Sequence, residues 1–91
     1  MSTFMAVTKF KENVTMEEIQ ALIPTEQAQA KKLEAEGKIT SIKISMPKRT
    51  TFIEVVAESE EGALESIQSL PMAALWNIEI FPTTPPAGPS K

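Results

Sequence analysis

Chemistry in this chain must be done with a short list of side chains, because His, Cys and Tyr are absent and every one of the twelve acids is a Glu. A zinc or haem site built on His or Cys is thereby excluded, as is a Ser or Cys nucleophile activated by His. No metal is expected. Proton transfer is left to Glu, Lys, a hydroxyl or water. Gly37, Gly62 and Gly88 are the only glycines and stand too far apart for a phosphate-cradling loop.

Glu26 is the first candidate for such a transfer. It follows Pro24 at a point where a helix would restart, and a partly desolvated Glu can take a proton from a carbon beside a carbonyl. A Glu in the first turn of a helix also complements the helix dipole, which is its ordinary use. A second constellation is Lys9, Lys43, Glu54 and Glu79, one on each of four strands. On a shared face they would read as alternating charges, either fixing register at roughly 0.2–1 kcal/mol per pair or forming a lumenal Lys–Glu pair. Ala28, Ala30 and Ala35 keep the first helix short of bulk. That leaves room for a ligand beside Phe4, Phe52 and Trp76, although Ala is also simply the best helix former. Lys48 and Arg49 occupy a hairpin tip, where solvated charge is the default and attraction of an anionic substrate a weaker alternative.

The elements that must carry these residues follow from pattern. Thr3 to Phe10 is rich in β-branched and aromatic residues and predicts a strand. Thr15 and Glu18 form a capping box ahead of Ile19, Leu22 and Ile23. Pro24 should kink or split that helix, which resumes at Thr25 and ends at Gly37, suited to a left-handed cap. Lys38 to Met46 alternates Ile42, Ile44 and Met46 against Ser41, Lys43 and Ser45, the period of a half-buried strand. After the turn at Pro47 to Thr50, Thr51 to Ala57 predicts a third strand. Ser59 caps a second helix whose buried face is Ala63, Leu64, Ile67 and Leu70. Leu75 to Phe81 predicts the last strand, and the Pro-rich remainder should be an extended tail. The division is thus a domain over 1–82 and a tail over 83–91.

Two strand–helix–strand units in series predict an α+β, ferredoxin-like βαββαβ fold with a four-stranded antiparallel sheet ordered 4-1-3-2. The first and third strands carry apolar residues on both faces, Phe4, Ala6 and Phe10 against Met5 and Val7, and Phe52 and Val56 against Ile53 and Val55. Helices cover one face, so a second copy of the sheet is the economical cover for the other, giving a dimeric α+β barrel. A 91-residue chain buries only roughly 60% of its unfolded surface, which also favours oligomers. The net charge of −3 and the single Arg argue against nucleic acid. No run approaches the ~18 apolar residues of a membrane span, and no secretory leader is visible, so a cytoplasmic location is expected.

Pro24 to Lys38, Ala57 to Pro71 and Asn77 to Pro85, in this order and spacing, resemble the muconolactone isomerase-like family. Ser69-Leu70-Pro71, followed after a short link by an alternating strand and Pro82, is the most specific piece. The resemblance implies a cofactor-free isomerase that moves a double bond in a small lactone and assembles as a homodimer or a ring of dimers. Glu26 matches an acidic position of the family's motif and would be the proton shuttle. Lys43 or Lys9 would stabilise enolate charge, while Phe4, Phe52, Trp76 and Ala30 would contact a largely apolar lactone or carbonyl substrate. Two other readings share the barrel. A cofactor-free monooxygenase or polyketide cyclase would tolerate Glu26→Gln, and a non-catalytic binding or oligomer-forming module would lack a formed pocket.

Overall fold

The structure, a computed structural model, describes residues 1–84. The chain runs β1 (Ser2–Phe10), α1 (Met16–Ala35), β2 (Ile39–Ser45), β3 (Thr50–Ala57), α2 (Glu60–Gln68), a 3₁₀ turn η1 (Pro71–Leu75) and β4 (Trp76–Thr83). The strands form one antiparallel sheet ordered β2-β3-β1-β4, so the two strands that are apolar on both faces are the central pair. β4 continues through Pro82 and Thr83, two residues beyond the strand expected from sequence, and Thr83 bonds to Thr3 through side chain and backbone. The expected Pro-rich tail otherwise lies outside the described residues.

Strand pleating sorts β1 into two sets. Phe4, Ala6 and Thr8 are buried beneath the helices, and Thr3, Met5, Val7 and Lys9 point the other way. Ile53, Val55 and Ala57 of β3 join the first set, with Trp76 of β4, and α2 closes over them through Ala63 and Ile67. β2 keeps phase by a bulge at Thr40, the residue skipped between the pairs Ile39–Val55 and Ser41–Glu54. That extra residue lets Ile39, Ile42 and Ile44 share the helix side although their spacing is three and then two.

The Thr15 capping box forms as expected, with Glu18 N–H donating to Thr15 Oγ1 at 3.2 Å and Thr15 N–H donating to Glu18 Oε1 at 3.0 Å. Helix α1 runs unbroken from Met16 to Ala35 through Pro24, so the helix is not split there. Proline removes the N–H that would bond to Gln20 C=O, but Ile19 and Leu22 before it and Ala30 and Leu33 after it pack on one core. The C-terminus closes with Gly37 at φ 76, Gly37 N–H bonding to Glu34 O and Lys38 N–H to Leu33 O. This is the paired bonding of a Schellman cap. Of the three alanines singled out in α1, only Ala30 meets the core, and Ala28 and Ala35 face solvent. No helix among the described residues is long and apolar enough to cross a membrane.

Candidate active site

Helix α1 stands off from edge strand β2, and the gap between them is a cavity of about 660 Å³. Its walls are mainly apolar: Ile19 and Ile23 from α1, Ile42 and Ile44 from β2, together with Met72 and Trp76. Among its lining residues Glu26 is the one acid and Arg49 the one cation.

Glu26 reaches the cavity because α1 continues past Pro24. The first amides of a helical turn lack intrahelical partners, and Pro71 starts η1 with Met72 next in line. Met72 N–H donates to Glu26 Oε1 at 2.9 Å. Half-buried among apolar walls, the Glu26 carboxyl has its pKa raised by desolvation, and the Met72 hydrogen bond offsets only part of that rise. One oxygen is thus positioned by the backbone and the second is uncommitted. A carboxylate of raised pKa is a better base than an ordinary one.

Arg49 arrives by backbone conformation. It ends the hairpin turn between β2 and β3, with Arg49 N–H bonded to Met46 O at 3.1 Å, and takes φ 51, a left-handed value. A bulky residue there costs roughly 1–2 kcal/mol, a strain of the kind that collects at functional sites. The guanidinium donates to Val14 O at 3.3 Å and lies 5.8 Å from the centre of the Phe10 ring, which in turn sits 6.4 Å from Trp76. One bond leaves most of its five donors unused. Trp76 is only 5% exposed, and its ring lines the cavity while its buried indole N–H has no acceptor among the described residues.

The cavity therefore brings together Glu26, Ala30 and Trp76 of the residues assigned to a site from sequence, and with them Arg49, for which attraction of an anion was the weaker reading. It does not include the others. Lys9 and Lys43 lie on the opposite face of the sheet, since Lys9 alternates with Thr8 and Phe10, and Lys43 sits between the cavity-facing Ile42 and Ile44. Phe52 is on that opposite face too, 39% exposed, because its neighbours Thr51 and Ile53 take the cavity side. Phe4 is on the correct face at the wrong end, six residues along β1 from Phe10, or ~20 Å away. Lys9, Lys43, Glu54 and Glu79 do share a face but do not align. Lys43 opposes Phe52, Glu54 opposes Met5, Lys9 opposes Thr50 and Asn77, and Glu79 opposes Val7. Glu54 accepts instead from the bulge residue Thr40 at 2.7 Å. Two cavity groups were under-read: Arg49, whose left-handed φ leaves no sequence signal, and Met72, whose exposed amide is foreshadowed only by Pro71.

The sequence model of muconolactone delta-isomerase matches residues 3–86. The chain belongs to the muconolactone delta-isomerase family. A crystal structure of muconolactone isomerase at 3.3 Å resolution has the same fold, with a TM-score of 0.75 at 20% identity over 98% of this chain and 93% of that one. No curated protein matches the chain. Family and fold together support an isomerase-like enzyme.

Proposed function

We propose that the chain is a cofactor-free isomerase that shifts a proton, and with it a double bond, in a largely apolar lactone or other carbonyl compound. The observation that carries this reading is Glu26, a half-buried carboxyl of raised pKa held by Met72 N–H at the wall of an apolar cavity. Glu26 would remove a proton from the carbon next to the carbonyl and return it at the far end of the allylic system, with the apolar walls excluding water. Arg49, rather than Lys9 or Lys43, is the cation within reach of a substrate anion in this cavity.

The open sheet face supports a homodimer. Met5, Val7, Val56, Phe52 and Phe81 lie together there, the last two 39% and 45% exposed. A second copy laid on that face would bury them and bring Lys9, Lys43, Glu54 and Glu79 into the contact between sheets. Those charges would then set partner register, with the reacting cavities left on the outer sides.

The test is proton NMR of muconolactone in deuterium oxide with the purified protein and with Glu26→Gln. Deuterium uptake and double-bond migration are expected with the native chain and should fall about 10²–10⁴-fold in the variant. Because Gln can still accept the Met72 N–H, the variant should fold. Undiminished turnover in the folded variant would contradict the assignment of Glu26, and silence from both proteins would favour an oxygenase, a cyclase or a binding module.

A further inference from the structure

The two charged groups of the cavity meet α1 at different points along its length. Arg49 is tied to Val14, just before the start of α1, whereas Glu26 lies ten residues beyond Met16 on the same helix. At 1.5 Å rise per residue the helix alone advances ~15 Å between them. The wall along that path is apolar, formed by Ile19, Ile23, Ile42 and Ile44. The volume, about 660 Å³, would hold on the order of twenty water molecules at ~30 Å³ each. A compact six-carbon lactone, built from bonds of ~1.5 Å, could react at Glu26 and leave part of that apolar wall uncovered.

We propose that the cavity takes an elongated amphipathic acid, its anionic end at Arg49, roughly ten ångströms of hydrophobic body along Ile19, Ile23, Ile42 and Ile44, and its reacting carbonyl at Glu26. This rests on the isomerase reading for the role of Glu26 and goes beyond it in naming the substrate's length and polarity. Arg49 suits the anion because a guanidinium fork engages a carboxylate through two parallel bonds. Its hydrogen bond to Val14 O and its place over the Phe10 ring hold that fork at the cavity wall.

The test is equilibrium binding read by fluorescence of Trp76, the only Trp in the chain, with saturated straight-chain carboxylic acids of increasing length and the matching primary alcohols. Affinity of the acids is expected to climb roughly fourfold per added methylene from six to about ten carbons. Each acid should bind at least about tenfold more tightly than its alcohol. Arg49→Lys should keep the preference for acids, and Arg49→Gln should abolish it. Affinity that does not grow with length, or alcohols that bind the native protein as well as acids, would overturn the proposal. Those two comparisons need no variant, so they stand even where Arg49→Gln fails to fold. None of these probes reacts, so the outcome is read separately from whether Glu26 moves a proton.

Discussion

The two faces of the sheet carry the same kinds of residues to different ends. Beneath the helices, Phe4, Ala6, Ile53 and Val55 are fully packed, yet beside them α1 and β2 part to leave an apolar cavity with one acid and one cation on its wall. On the open face, apolar and charged residues alternate, and the charges oppose neutral partners across the strands. What separates them is desolvation. A carboxyl becomes a useful base when apolar walls raise its pKa, as they do for Glu26, whereas a charge on an exposed sheet face stays solvated until another surface covers it. Charge on a strand is therefore a poorer guide to chemistry than charge beside an unfilled gap.

This contrast can be broken at several points. The largest effect is expected at Glu26, whose change to Gln should cost about 10²–10⁴ in turnover with the fold retained. Next is assembly. Val7→Glu places a charge at the centre of the open face, opposite Phe52 and beside Glu79. Light scattering should then report a monomer where the native chain gives a dimer, and a native chain already monomeric would remove the proposed sheet contact. A smaller effect concerns pH. The pKa of Glu26 is raised above its ordinary 4.5 in the folded chain, so over the window between those values the folded state holds a proton that the unfolded state has released. Stability should therefore fall as pH rises from about 4.5 through the folded value and then level off, a decline missing from melts of Glu26→Gln. Turnover should move oppositely, lost as pH falls through the folded value because the base is then protonated. Smallest of all is the expected effect of Lys9→Ala and Lys43→Ala on the chemistry, within about twofold in kcat/KM, since exposed charges contribute little.

The sheet order was legible because only central strands need apolar residues on both faces, and β1 and β3 have them. The capping box at Thr15 and the Gly37 cap were legible because they depend on local bonds alone. Pro24 misled for the opposite reason: its cost is local, but packing of Leu22 and Ala30 on either side decides the outcome. The bulge at Thr40 and the turn η1 are likewise set by partners distant in sequence. At the site, Glu26 stood out by its position after Pro24 and by the family resemblance. The lysines were grouped with it because sequence alone cannot assign a strand's parity to the helix side. Arg49 looked like ordinary hairpin charge, since nothing in Met46 to Thr50 announces that its backbone turns left-handed and carries the side chain to the cavity.

The most direct test of the account compares the two faces in one experiment, the rate of deuterium uptake into a lactone substrate by Glu26→Gln and by the Lys9→Ala/Lys43→Ala double variant. The account predicts that the first loses at least about a hundredfold and the second stays within about twofold of the native chain. A native rate in Glu26→Gln with collapse in the double-lysine variant would place the chemistry on the open face and contradict it.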